Sequence, residues 1–221
     1  MIDPMSIDLP RFLAGWYGSP DLPARRPIDS YSWLPEPLKD WYELSSQWTR
    51  PLMSIKRMRR PEEITIKDGN AIFMEDPGDQ IWAFDPDSPM DVYEGELYER
   101  PEKVAEQFPE FLIHNALNEA AYTGASRRAC DEVEESRLLE ILAPMTEVAF
   151  GGWRWPRPGH RIFVADSLVA DVGPALEDHS PWGNRAGYTN VQIGCSDPTA
   201  LLYLDELPGL SWIKSGSRNS Q

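Results

Sequence analysis

The chain has 221 residues, of which 11% are aromatic, including nine tryptophans; that content supports a buried core and excludes a disordered chain. Thirty-six acids against 21 bases leave a formal charge of −15, which opposes nucleic acid and anionic membrane and favours cationic partners or simple solubility. With no apolar run near the ~18 residues of a membrane span, no basic start at Met1-Ile2-Asp3-Pro4-Met5, and no Cys or His pair at zinc spacing, a cytoplasmic protein of one domain or two small lobes is expected, without metal or cofactor.

Residues 1–30 contain Leu9-Pro10-Arg11, Gly18-Ser19-Pro20, Leu22-Pro23 and Arg26-Pro27, and predict an extended arm pinned by Phe12, Leu13, Trp16 and Tyr17. Leu34, Leu38, Trp41 and Trp48 then recur at helical offsets, with Pro35 and Pro37 in the opening turn, where a missing N–H costs nothing. A short strand over 51–58 carries the basic run Lys56-Arg57-Met58-Arg59-Arg60. Two β-type runs, 64–67 and 71–74, flank Asp68-Gly69-Asn70 and predict a hairpin. Residues 80–84 form a third strand and 90–93 a fourth. Val104, Phe108, Phe111, Leu112, Ala116 and Ala120 predict a helical stretch over 101–122, broken at Pro109.

Thr123-Gly124-Ala125-Ser126 is the best internal joint. Beyond it Val133, Leu138, Leu139, Ile141 and Leu142 predict a helix over 130–145, then strands at 147–150, 161–165, 168–172 and 190–194. A last helix opens at Asp197-Pro198 and carries Leu201, Leu202 and Leu204. This order predicts an α+β fold, a mainly antiparallel sheet with packed helices. Its parts are an arm (1–30), a core (31–122), a C-terminal α/β extension of the same domain (123–213) and a flexible tail (214–221).

Between 75 and 110 the chain holds twelve acids and two bases. Asp76, Asp79, Asp85, Asp87, Asp91, Glu94, Glu96 and Glu99 are therefore the candidate residues for a cationic partner, with a solvated face as the alternative. Asp85, Asp87, Asp91 and Glu96 have the spacing of a calcium loop, but Pro89 and Met90 stand where a ligand and the turn glycine are needed. The basic run is expected to pair internally with this acidic segment. His114, with Glu110 and Asn118 one turn away on either side, suits a polar helix face better than a catalytic base. Trp153 and Trp155 suit a strand end or a ligand ledge. No nucleotide-binding or nucleophile-elbow motif occurs, so a hydrolase would have to rest on acids near Glu75 and Asp85.

Trp33-Leu34-Pro35 with Leu38 and Trp41-Tyr42 resembles the opening helix of the SUKH superfamily, which includes a yeast cell-wall regulator and many bacterial toxin-immunity proteins. Asp68-Gly69, Phe73, Glu75, Gln80 and Trp82 are similar to that family's central run, Asp91-Val92-Tyr93 to a later strand and Phe111-Leu112 to a helix. Val191-Gln192-Ile193-Gly194 and Trp212 are similar to the tail of longer bacterial members. Two departures are Ser45-Ser46-Gln47-Trp48, where a glycine usually follows the first helix, and a lengthened turn from Glu75 to Gln80. The resemblance implies a non-enzymatic binding scaffold and supplies no active residues. It implies a cytoplasmic immunity protein that blocks the active surface of a cognate, basic polymorphic toxin, with a regulatory scaffold as the alternative.

Overall fold

In the computed structural model, which describes residues 1–151 and 155–216, the chain divides into two compact units. One comprises residues 8–14 and 18–119; the other comprises residues 1–7, 15–17 and 120–221. The division thus falls between Glu119 and Ala120, just before the joint expected at 123–126.

The N-terminal arm is not extended throughout. Asp8 accepts from the Arg11 N–H at 3.0 Å, and Pro10 lies in the first turn of helix α1 (Leu9–Tyr17). A capped start and an apolar stripe of Leu13, Trp16 and Tyr17, all buried, make this segment helical despite its prolines.

In the 18–119 unit, helix α2 (Glu36–Ser45) begins after Pro35 and buries Leu38 and Trp41. The sheet contains β1 (Arg57–Met58), β2 (Thr65–Lys67), β3 (Asn70–Glu75), β4 (Gln80–Asp85), β5 (Ser88–Glu96) and β6 (Glu102–Gln107). It is antiparallel in the order β1-β3-β4-β5-β6, and β2 also pairs with β3. The expected hairpin is β2–β3, and its turn has positive φ at both Asp68 (50°) and Gly69 (84°). Both signs match a type I′ turn, whose twist suits two-residue hairpins.

Helix α3 (Phe108–Thr123) starts later than expected, because residues 102–107 are strand β6. Pro109 sits in its first turn and breaks nothing. Phe73 on β3 meets Phe108 at 4.8 Å and the edge of Phe111 at 5.8 Å, and Phe84 on β4 joins Phe108 at 5.8 Å. The opposite face of the sheet carries Ile72, Ile81 and Ala83, covered by Leu97.

The second unit has a six-stranded antiparallel sheet of β7 (Ser126–Glu134), β8 (Thr146–Glu147), β9 (Arg161–Val164), β10 (Leu168–Glu177), β11 (Ser180–Cys195) and β12 (Ile213–Gly216), ordered β12-β7-β11-β10-β9-β8. The helix expected over 130–145 is instead the end of β7, a 3₁₀ turn and the four-residue helix α4 (Leu138–Ile141). Asp197 caps a 3₁₀ turn as expected, accepting from Thr199 N at 2.9 Å, and helix α5 (Leu202–Asp205) follows. Val133, Ile141, Val191, Ile193, Leu201 and Leu204 form the core. Lys214 to Gly216, expected in a flexible tail, pair with β7. Trp153 and the rest of the tail, 217–221, lie outside the described residues. Among the described residues no helix is long and apolar enough to cross a membrane.

Candidate functional site

The acidic segment folds as the strands and turns of β3 to β6, and the eight candidate acids take different places in it. Glu94 points inward with Val92 on alternate positions of β5. It is 3% exposed, and its Oε2 accepts from Trp82 Nε1 at 3.2 Å; it therefore cannot belong to a partner surface, a correction to the expected set. Asp76 closes the β3–β4 turn, accepting from Gly78 N at 2.7 Å and Gln80 N at 2.9 Å. Asp85 accepts from Asp87 N at 2.8 Å, and Asp91 holds Lys103 Nζ at 2.7 Å. Asp79, Asp87, Glu96 and Glu99 are exposed and form no ion pair among the described residues.

Strand register separates these acids. Gln80 faces Glu96, and the Leu97 N–H donates to the Asp79 carbonyl at 2.8 Å, so Asp79 and Glu96 share one end of the sheet. Asp85 and Asp87 lie at the other end of β4, five residues from Gln80, or about 17 Å at ~3.3 Å per residue. That distance exceeds a Debye length of ~8 Å at physiological salt, so the two ends act as separate patches. Tyr98 stands in the first patch, 82% exposed, with Lys67 Nζ 5.5 Å from its ring centroid.

The basic run is neutralised internally, but only Arg57 and Arg59 pair with the acidic segment as expected; Arg60 and Lys56 pair with Glu63 and Glu119, outside it. Arg57 and Arg59 both reach Glu75, at 2.9 and 2.5 Å, and Arg60 pairs with Glu63 at 2.9 Å. Burial works to raise the Glu75 carboxyl, but the hydrogen bonds from Arg59 and Arg57 outweigh it and hold its pKa below the ordinary value. Arg60 draws Glu63 down to about 2 in the same way. Glu75 is thus spent on structure. Its register partner Ile81 is four residues from Asp85, about 13 Å, so no carboxylate pair forms there for hydrolysis.

His114 is not on an exposed helix face. Its Nδ1 lies 2.9 Å from Glu106 Oε1, and both side chains are buried. Next to it on α3, Asn118 and Glu119 are also buried; the Glu119 carboxylate accepts from the N–H groups of Ser54, Ile55 and Lys56 at 2.8, 3.1 and 2.9 Å. These groups tie the loop before β1 to the helix.

A further polar group, missed in the sequence, lies in the second unit. His160, Asp171 and Tyr122 come from the approach to β9, from β10 and from the last turn of α3. Only their types were visible in the sequence, since nothing in the spacing brings them together. Among the described residues no group of three or more His, Cys, Asp and Glu side chains could hold a metal ion. Comparison of the chain with family models, with curated proteins and with solved structures found no match.

Proposed function

We propose that this chain is a binding protein that neutralises a cationic protein by covering its active surface. This is the cytoplasmic immunity role that its resemblance to the SUKH superfamily implies. One observation carries the reading: Arg57, Arg59 and Arg60 are paired internally, whereas Asp79, Asp87, Glu96 and Glu99 face solvent without an ion pair among the described residues. The patch at Asp79, Glu96 and Glu99 is the better docking point, because it adds to the acids an exposed aromatic anchor, Tyr98, whose ring Lys67 flanks. Long-range attraction would speed and orient the encounter, and the buried anchor would slow release.

The test uses the product of the neighbouring gene as the candidate toxin. Wild-type protein should protect cells that co-express it, and association should slow as salt rises. A Tyr98→Ala, Glu96→Lys, Glu99→Lys variant should keep its fold by circular dichroism and lose protection. Full protection by that variant, with an on-rate indifferent to salt, would overturn the assignment.

A further inference from the structure

The second unit contains a cleft of about 500 Å³, within the roughly 300–1,000 Å³ of small-molecule sites. Two of its lining groups are committed to the fold. The Tyr122 hydroxyl donates to Asp171, and Asp171, fully buried, also sits 2.7 Å from His160 Nδ1. Arg157 is not committed. Its Nη1 is buried without a hydrogen-bond partner, and its side chain forms no ion pair among the described residues. Pro156 and Pro158 bracket it; their rings disfavour helical backbone at Arg157 and stiffen the loop that presents its guanidinium. A desolvated donor on a charged group is costly to leave unpaired, so this nitrogen calls for an acceptor.

Acceptors line the same cleft, yet Arg157 pairs with none of them. They are the carboxylates of Asp131, Glu132, Glu177 and Asp178. Glu132 holds Arg185 at 2.7 Å, and Asp131 accepts from Asn190 Nδ2 at 2.6 Å. Glu177 and Asp178 are exposed and form no ion pair among the described residues. Arg157 and these two carboxylates thus share one cavity without meeting across it, although opposite charges attract. A ligand with either charge alone suits it badly. An anion is repelled by the acids, and a cation is repelled by Arg157 and leaves Nη1 unpaired. A ligand that carries both charges satisfies both ends.

We propose that this cleft binds a free α-amino acid with an apolar side chain. Its carboxylate accepts from Arg157, whose planar fork suits two-point contact with a carboxylate. Its ammonium donates to Glu177 or Asp178. Pro156, Pro174 and Leu176 also line the cleft and offer apolar contact to the side chain. The site lies apart in sequence from the acidic turns of β3 to β6, so it stands or falls independently of them.

The experiment is a titration of the isotope-labelled full chain with L-leucine, followed by NMR. The expected result is saturable shifts at the Tyr122, Arg157 and Gln192 signals with a dissociation constant of about a millimolar. Two analogues of the same skeleton each lack one charge: isopentylamine has no carboxylate, and 4-methylpentanoate has no ammonium. Each should bind about tenfold more weakly, the scale of one lost charge-assisted hydrogen bond. Glycine should also bind more weakly, for want of the apolar contact. In Arg157→Gln, leucine should lose its advantage over isopentylamine, while the unfolding midpoint stays at or above that of wild type, because no fold contact is removed. In Glu177→Gln, Asp178→Asn, leucine should lose its advantage over 4-methylpentanoate. A Glu96→Lys, Glu99→Lys variant should bind leucine as wild type does, which keeps this site distinct from the acidic turns. Unsaturable shifts with leucine, equal binding by glycine or by either single-charge analogue, or an Arg157→Gln variant that binds leucine as wild type does would each overturn the assignment.

Discussion

His160 Nδ1 and Asp171 Oδ1 meet at 2.7 Å because Gly173, two residues along β10, leaves room for the imidazole: a Cβ at position 173 would lie 2.2 Å from His160 Nε2. The glycine is required here for close approach, since the ring occupies the volume that any side chain would fill.

Gly173→Ala should therefore evict the His160 ring and deprive the buried Asp171 carboxylate of a donor. Losing a hydrogen bond to a buried charged group costs about 1–3 kcal/mol. His160→Ala removes the same bond without a clash, so adding Gly173→Ala to it should cost little more. Urea midpoints of the two single variants and the double variant check this; additive losses would show that Gly173 and His160 are not coupled.

Glu119 yields the second prediction. It accepts three backbone N–H groups and lies 3.6 Å from Lys56 Nζ, with both side chains fully buried. Glu119→Ala takes the acceptor from those donors and the counter-charge from the buried ammonium, which keeps its hydrogen bond to Asn118 Oδ1, and should cost about 3–5 kcal/mol, as for other broken buried pairs. Lys56→Met in the Glu119→Gln background should cost less than the separate losses predict, because the buried charge that lost its counter-ion has gone. Thermal or denaturant melts of wild type, Glu119→Ala, the single variants Lys56→Met and Glu119→Gln, and their double variant measure it.

The same buried polar groups explain what the sequence hid. The hairpin at Asp68-Gly69, the α2 helix and the Asp197 cap were legible because local turn and cap chemistry decides them. Strand β6 was not, because one of its inward positions, between Val104 and Phe108, is the buried Glu106; with a charged residue there, the period-2 pattern vanishes. Strand β7 read as a helix for a different reason. Thr189 pairs with Val133 and Val191 with Cys130, a register shift that gives β7 one extra residue. That bulge turns an apolar spacing of two into three and imitates a helix. Of the candidate site, the excess of acid was legible, but its division between two ends of β4 required the register.

Asp205 sets a pH dependence. Hydrogen bonds from Arg128 and Lys214 hold its carboxyl at about 2, below the ~3.9 of an unfolded aspartate. A depressed native pKa gives stability that is present above the unfolded value and is lost as pH falls through the folded one. Asp205→Asn should thus be less stable than wild type at neutral pH, with the gap narrowing below about pH 4 and closing near pH 2. Unfolding midpoints across that range test it; a gap independent of pH would assign the loss to packing rather than to charge.

The two acidic patches should separate stability from binding. Asp79, Glu96 and Glu99 have no cationic partner among the described residues, so their neutralisation removes only like-charge crowding. Asp79→Asn, Glu96→Gln, Glu99→Gln should leave the unfolding midpoint unchanged or slightly raised; asparagine suits position 79, where φ is 68°. Asp85→Asn, Asp87→Asn, Asp91→Asn should lower the midpoint, because it weakens an acceptor in the β4–β5 turn and the Lys103 pair. The binding prediction runs the other way. If the Tyr98 end docks the partner, the first variant slows association and flattens its salt dependence, while the second, about 17 Å away along β4, changes the rate much less at physiological salt. Stopped-flow association rates at two salt concentrations distinguish the cases. Equal slowing by both variants would mean that the partner senses only the total charge of −15, and the Tyr98 patch would lose its special role.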